Sequence, residues 1–156
     1  MLKKARSILI VGVGTSSAVV IDAYNKFFRI GLPVKAVTDS HLMLMHACLL
    51  ERSNVVLGYS HSGSTRDPVE TFQAAKERGA KCIAVTHNER SPLAKEAEVV
   101  LTTASRETRF RSEALASRVA QMTITDVLFT ALSLDDLRKT EKLKKRIEEK
   151  IVTKQY

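Results

Sequence analysis

Short apolar runs alternate with amphipathic stretches along the first two thirds of the chain. Five of these runs are rich in β-branched residues and have the length of buried strands; they lie at residues 7–13, 34–38, 54–59, 81–86 and 99–101. The stretches between them have helical spacing and end at helix breakers; they reach residue 30, then cover 42–51, 65–78 and 91–96. Strands that alternate with helices and are apolar on both faces predict a parallel sheet covered by helices. We therefore expect a doubly wound α/β fold with a five-stranded parallel sheet.

Two more helices are predicted after the last strand. Residues 112–132 form a long helical pattern that carries Leu115, Val119, Met122 and Leu128, and a basic amphipathic helix follows it. Together they contain more apolar helix than one sheet face needs. Such helices either cover the sheet or pack against a second subunit, and the pattern leaves both interpretations open.

Composition indicates one folded domain. The chain has 156 residues, of which 44% are hydrophobic and 27% are charged, and no apolar run approaches the ~20 residues of a membrane helix. Cys48 and Cys82 are far apart and lie in no metal or redox motif, which predicts reduced, buried thiols in a cytoplasmic protein. We predict no metal site and no cofactor.

The net charge of +8 is concentrated at the two ends of the chain. Residues 7–137 contain 14 basic and 14 acidic residues, whereas residues 138–156 contain eight Lys or Arg and three Glu. We therefore divide the chain into a domain at residues 1–134 and a basic amphipathic C-terminal helix or tail at residues 135–156. A basic end of this kind is typical of a solvated face, so direct DNA binding by this chain is not predicted.

Hydroxyl-rich loops follow two of the predicted strands, where ligands bind in open parallel sheets. Residues 12–17 read GVGTSS and residues 60–65 read SHSGST. The second loop leads into a helix, and Ser64 to Asp67 fits a capping box. Backbone N–H groups at a helix start attract anions, and the hydroxyls add donors. This loop therefore predicts a phosphate site.

Two other interpretations of the strand ends are weaker. Gly12 and Gly14, with Asp39 after the second strand, resemble a dinucleotide fingerprint, but Ser17 replaces its third glycine. His41, His61 and His87 also fall at strand ends, without the spacing of a metal site. His46 lies in an apolar helix and is expected to be a core residue.

These motifs together resemble the sugar isomerase (SIS) domain, most closely the C-terminal effector half of RpiR-type bacterial transcriptional regulators. The resemblance runs over residues 7–132, and its matching segments are 12–16, 39–41, 60–65, 79–86, 91–93, 107, 110–112, 117–118 and 126. It implies a flavodoxin-like domain that forms homodimers or homotetramers and binds a phosphorylated sugar or amino sugar.

The resemblance also implies a set of ligand-binding residues, none of them catalytic. Ser60, Ser62, Ser64 and Thr65 would hold the phosphate in the second hydroxyl-rich loop. Gly14, Thr15 and Ser16 would border the sugar, and His41 and Glu107 would add contacts from polar loops.

The choice between a sensor and an enzyme depends on a general base. A sugar-phosphate isomerase needs a group that removes a proton from carbon, and related hexulose-phosphate isomerases are expected to place a Glu at the start of the last long helix. Residues 117–119 read SRV here. We therefore favour a sensor that controls carbohydrate metabolism, with an aldose-ketose isomerase as the alternative. RpiR-type regulators bind DNA through a helix-turn-helix domain, and only six residues precede Ser7. We therefore expect either an excised effector domain or a free-standing protein with the same fold, and we favour the first.

Overall fold

A computed structural model describes residues 1–105 and 115–152 of the chain. Five strands alternate with helices, and two long helices complete the chain. The elements are β1 (Ser7–Val11), α1 (Ser17–Arg29), β2 (Val34–Val37), α2 (Ser40–Cys48), β3 (Asn54–Tyr59), α3 (Arg66–Glu77), β4 (Lys81–Thr86), α4 (Pro92–Lys95), β5 (Val99–Thr102), α5 (Leu115–Asp135) and α6 (Leu137–Ile151).

The sheet has the strand order β2-β1-β3-β4-β5, with every neighbouring pair parallel. Ile10 stands opposite Leu57, and Leu57 stands opposite Ile83. This order confirms the predicted doubly wound, five-stranded fold. The chain reverses its direction of winding between β1 and β3, so a crevice opens there at the carboxyl edge of the sheet.

Helices cover both faces of the sheet. Alternate strand residues point to opposite faces, so Ile8 and Ile10 pack with α1 and α5, whereas Leu9 and Val11 pack with α2, α3 and α4. Every residue of β3 is buried. This two-sided burial explains why the central strands read as continuous apolar runs rather than as alternating ones.

The bounds of β3 and β4 agree with the prediction, whereas β1 ends two residues early. A Cβ at Gly12 would lie 2.9 Å from the carbonyl oxygen of Tyr59, so Gly12 is needed where the chain passes over the end of β3. Helix α2 begins at Ser40, before the predicted start at 42, because the Asp39 carboxylate accepts the N–H of Leu42 at 2.9 Å and caps the helix.

Two expectations for side chains in and near α2 were wrong. Cys48 is exposed, and only Cys82 is a buried thiol. His46 is half-buried rather than a core residue. Both lie on a helix that exposes Leu42, Met45 and Leu49. The apolar sequence of α2 therefore does not mean that the whole helix is buried.

Helix α5 buries polar side chains against the sheet and exposes apolar ones. Ser117, Gln121 and Thr125, spaced one helical turn apart, are at most 2% exposed, whereas Leu115 and Val119 are more than half exposed. The apolar residues of this helix are thus divided between the core, where Met122 and Leu128 pack, and the surface. Among the described residues, no helix is long and apolar enough to cross a membrane.

Candidate functional site

A cavity of about 330 Å³ opens at the carboxyl ends of β1 and β3, at the point where the strand order reverses. Six of the predicted site residues line it: Gly14, Thr15, Ser16, Ser60, Ser62 and Thr65. Val13, Tyr59, His61 and Ser117 complete the lining. Most of these residues carry a hydroxyl group, and none of the described lining side chains is a carboxylate, a lysine or an arginine. The cavity therefore offers many hydrogen bonds but little formal charge.

Residues 60–65, which we call the serine loop, fold into a turn closed by its own hydroxyls. The Ser60 Oγ accepts the N–H of Gly63 at 3.2 Å and donates to the Thr65 Oγ1 at 3.3 Å. The Ser62 Oγ accepts the N–H of Ser64 at 3.2 Å. These bonds fix the positions of the hydroxyls before any ligand binds, so binding costs little ordering of the loop.

Gly63 locks the serine loop against the next strand. Its φ of +65° lies in the left-handed region, and its carbonyl accepts the N–H of Leu93 at 2.9 Å. A Cβ at this position would collide with the side chain of Ser91 and would lie 2.8 Å from the Thr86 Oγ1. Only glycine satisfies both the conformation and the space.

The serine loop leads into α3 without a side-chain cap. Thr65 occupies the N-cap position and makes no side-chain capping bond, while the Ser64 hydroxyl donates to the Ser62 carbonyl at 3.4 Å. The predicted capping box from Ser64 to Asp67 is therefore wrong. The N-cap is Thr65, one residue later than predicted, and no capping box forms. Backbone N–H groups of the first turn of α3, with the positive end of the helix dipole, remain beside the cavity.

The opposite wall of the cavity connects the end of β1 to α5. The Ser16 Oγ donates to the Gln121 Oε1 at 3.4 Å, in a buried position. The Gln121 Nε2 has no hydrogen-bond partner among the described residues, so a donor remains unused behind the wall. Ser117 lies one turn before Gln121 and lines the cavity itself.

Tyr59 provides a second connection to α5. Its phenol oxygen lies 2.8 Å from the Thr125 Oγ1, and Thr125 donates its own proton to the Gln121 carbonyl at 2.9 Å. Because a hydroxyl has one proton, Tyr59 is the donor in the first of these bonds. Burial raises the pKa of the Tyr59 phenol, which keeps it neutral. The hydrogen bond from Tyr59 therefore holds β3 and α5 together.

His61 and His87 stack at the edge of the cavity, with ring centroids 5.2 Å apart. The His87 backbone N–H donates to the His61 carbonyl at 2.9 Å, and the His87 Nδ1 lies 2.7 Å from the Thr103 carbonyl. Since a carbonyl only accepts, the His87 Nδ1 carries the proton. The pair thus holds the serine loop to the end of β4. No group of three metal-ligating side chains occurs within residues 1–105 and 115–152.

Two predicted site residues do not line the cavity, and a third lies outside the described residues. His41 is exposed at the start of α2, and Ser64 is exposed on the outside of the serine loop. Glu107 lies outside the described residues. Conversely, Tyr59 and Ser117 were not predicted to line it. The polar spacing of Ser117, Gln121 and Thr125 on a sheet-covering helix was a signal that could have identified the α5 wall.

Comparison with known proteins gives a consistent match. The SIS domain family model matches residues 1–131. An uncharacterised HTH-type transcriptional regulator of Caldanaerobacter subterraneus is 45% identical over 128 residues, which are 82% of this chain and 45% of the relative. The HTH-type transcriptional regulator RpiR of Escherichia coli K12 is 37% identical over 130 residues, which are 83% of this chain and 44% of the relative. The chain therefore spans less than half the length of these relatives.

Two solved structures extend the match to the fold. The NanR protein of Vibrio vulnificus, solved in complex with ManNAc-6P, superposes with a TM-score of 0.91 and 25% identity over 99% of this chain and 58% of NanR. A putative sugar-phosphate isomerase of Listeria monocytogenes superposes with a TM-score of 0.77 and 26% identity, covering 85% of this chain and 71% of that chain. This chain thus belongs to the SIS domain family and is homologous to a segment of the HTH-type transcriptional regulators that include RpiR.

Proposed function

We propose that this chain is the phosphosugar-binding effector domain of an RpiR-type regulator of carbohydrate metabolism, acting in the cytoplasm. The observation that carries the proposal is the hydroxyl-lined cavity beside the uncapped start of α3. The complex of the related NanR protein with ManNAc-6P supports the same class of ligand. DNA would be recognised by a helix-turn-helix domain of the whole regulator.

The serine loop is suited to the phosphate. Ser60, Ser62 and Thr65 offer hydroxyls, and the first turn of α3 offers N–H groups and the dipole. None of the described lining residues is a lysine or an arginine that could form an ion pair with the phosphate. Hydrogen bonds would therefore supply most of the recognition. A cavity of about 330 Å³ lies at the small end of the range for ligand sites. A phosphorylated monosaccharide fits this size better than a dinucleotide.

The other wall is suited to the sugar hydroxyls. Thr15, Ser16 and Ser117 each place a hydroxyl at the cavity, which can donate to or accept from a sugar. A ligand that engages Ser16 would also act on Gln121, its partner on α5. Ligand binding would in this way favour one position of α5 over another, and a signal requires such a difference in affinity between two states.

A second copy of the chain is the partner that the surface favours. Exposed apolar residues form what we call the α1–α5 surface; they are Ile21, Phe28, Leu115, Val119, Val127 and Leu134. The two helices pack side by side, and Lys26 joins them by contacting Asp126 at 2.5 Å. Apolar faces of this extent are typical of subunit contacts. We propose a homodimer through this surface, with a homotetramer requiring a second contact elsewhere.

The isomerase alternative is less well supported. The start of α5 places Ser117 at the cavity, where a Glu would act as the base. Of the groups that could act as a general base, the described lining residues include the imidazole of His61 and no carboxylate. Binding without turnover needs only the donors that the cavity provides.

A thermal-shift screen tests the proposal. The chain should be melted with hexose, pentose and N-acetylamino-sugar phosphates, with inorganic phosphate and NADH as controls. One sugar phosphate at about 100 times its Kd should stabilise the fold by about 2.7 kcal/mol, or roughly 5–10 °C in a domain of this size. Ser62→Ala should reduce the shift strongly, whereas Ser53→Ala, an exposed serine at the amino edge of the sheet, should not.

Each hit should then be assayed for product. Stabilisation without turnover supports the sensor, and turnover would instead identify an isomerase. Stabilisation by NADH alone would contradict the sugar-phosphate assignment.

A further inference from the structure

Helix α6 presents a strongly basic face. Its residues, which we call the α6 basic face, are Arg138, Lys139, Lys142, Lys145 and Arg146, all of them exposed. At 3.6 residues per turn these five lie within about 120° of the helix circumference. Thr140, Leu143 and Ile147 occupy the opposite side. The cations therefore form one surface rather than a ring around the helix.

The α6 basic face stands on a helix that is attached to the body of the protein. Leu143 packs so closely on Gly31, after α1, that a Cβ there would lie 2.8 Å from its methyl group. The Thr140 hydroxyl donates to the Ser133 carbonyl at 3.3 Å, and the Asp136 carboxylate caps the helix through the Lys139 N–H at 3.2 Å. Lys144 lies over the ring of Phe129 at 5.5 Å. The cations of the basic face are thus presented by a fixed scaffold.

The charges of the α6 basic face are not neutralised within the described part of the chain. None of its five cations forms an ion pair with a described residue, although Glu149 continues the same face one turn after Lys145 and Arg146. Other exposed cations do pair, such as Arg66 with Glu70 and Lys76 with Glu96. Five unpaired charges on one face are repulsive, and an anionic partner would relieve that repulsion.

We propose that the α6 basic face binds the phosphate backbone of duplex DNA without sequence preference. From 138 to 146 the cations span about 12 Å of helix axis, which matches about three to four phosphates of one strand. Residues 7–137 are electrically balanced, so the positive excess lies at the two ends of the chain, and the C-terminal end carries the larger part of it. The chain is homologous to HTH-type transcriptional regulators. DNA is therefore the anionic polymer that we choose as the partner of this face. This proposal goes beyond the solvated tail that the sequence predicted.

The proposal is tested by fluorescence anisotropy of the 156-residue chain with a labelled duplex of arbitrary sequence. We expect binding in about 50 mM salt, and a slope of log K against log salt of about −3 for three to four phosphate contacts. Between about 50 and about 200 mM salt the affinity should then fall roughly sixtyfold. Lys142→Glu/Lys145→Glu/Arg146→Glu should lower the affinity at least tenfold and bring the slope to about −2 or less in magnitude.

The matched control changes the same net charge elsewhere. Arg78→Glu/Lys81→Glu/Lys95→Glu reverses three exposed cations across the sheet and should retain most of the affinity and the slope. Equal losses in both variants would mean that only net charge matters, which overturns the proposal. So would absence of duplex binding in about 50 mM salt, or tighter binding of poly-glutamate than of duplex, which would indicate an acidic protein partner.

Two further measurements check that a loss of DNA binding comes from the lost cations and not from unfolding or from the introduced acids. Melting temperatures check that the reversal variant is folded, and Lys142→Gln/Lys145→Gln/Arg146→Gln repeats the test without introducing acids. The sugar-phosphate thermal shift should be unchanged in these variants. The sugar-phosphate test and the DNA-binding test are therefore independent, and failure of one proposal does not change the interpretation of the other.

Discussion

Gly63 shows how much of the candidate site depends on a single residue. Its left-handed backbone turns the serine loop, and its missing side chain admits Ser91 and Thr86. The position is therefore restricted both by conformation and by space. Neither restriction involves the ligand.

Gly63→Ala should consequently destabilise the fold by about 2–4 kcal/mol, from roughly 1–2 kcal/mol of backbone strain together with the steric clash. Urea unfolding measures this loss. Gly79→Ala is the matched control, because Gly79 also has a positive φ, of +78°, but its Cβ would meet the flexible side chain of Arg52. That variant should lose only the strain. Equal losses would show that Ser91 moves aside easily and that the loop is not locked.

The residues of the serine loop were predictable because their chemistry is local. Hydroxyls around a glycine before a helix indicate an anion site wherever the loop lies, and the strand order brings this loop beside Gly14, Thr15 and Ser16. Tyr59 and Ser117 were not predictable in the same way, since their place at the cavity depends on how α5 packs. The capping box failed by one residue because both Ser64 and Thr65 are acceptable caps.

At the scale of elements, α5 is attached to the sheet through polar contacts. Tyr59 donates to Thr125, and Ser16 donates to Gln121, on consecutive turns of the same helix. Hydrogen bonds fix direction and register more narrowly than apolar packing does. The site and the helix are therefore held in a defined relation.

Tyr59→Phe should cost about 1 kcal/mol at neutral pH through loss of the bond to Thr125. The raised pKa of the buried phenol predicts an opposite effect in alkali. Above the ordinary value of 10.0 the unfolded chain releases this proton while the folded chain keeps it, so wild-type stability falls by about 1.4 kcal/mol per pH unit. Tyr59→Phe lacks this loss, and the two proteins should reach equal stability near about pH 11.

Denaturant unfolding at several pH values measures this crossing. Tyr24→Phe is the control, since Tyr24 is half-buried and its hydroxyl has no hydrogen bond to a described residue. It should leave stability unchanged near neutral pH. A constant gap between wild type and Tyr59→Phe up to about pH 11 would mean that the phenol is ionised in the fold.

Sequence periodicity predicted the strands better than the faces of the helices. β3 and β4 are buried on both sides, so their ends coincide with the ends of their apolar runs. For α5 the same logic left two interpretations open, and in the structure Leu115 and Val119 are exposed. An apolar stripe indicates burial against something, and the sequence does not distinguish the chain's own core from another subunit.

On the scale of the whole molecule, the two faces of the sheet carry different exposed apolar residues. The α1–α5 surface lies on one side, and Leu42, Met45 and Leu49 of α2 lie on the other. The first is the larger and belongs to the helices that reach the candidate site. We therefore expect it to form the dimer contact.

Val127→Glu places a charge in the middle of the α1–α5 surface, at a side chain that is 64% exposed in the single chain. We expect light scattering to give the mass of two chains for the wild type and of one chain for this variant. Leu49→Glu, at an 80% exposed leucine directly after α2, should remain dimeric. Dissociation by Leu49→Glu alone would assign the contact to α2, and a monomeric wild type with and without ligand would contradict the coupling proposed for the dimer.

The length of α5 means that a small rotation at the cavity would produce a larger displacement at the far end of the helix. Its 21 residues extend about 30 Å. About 24 Å of this length separates Ser117, at the cavity, from Ser133, whose carbonyl accepts the hydroxyl of Thr140 on α6. A rigid rod of that length, pivoting at the cavity through about 2°, moves its far end by about 1 Å. A displacement too small to see around a bound sugar would therefore arrive, amplified, at the opposite edge of the protein. Under the proposed function, α5 would therefore act as a lever whose pivot is the binding cavity.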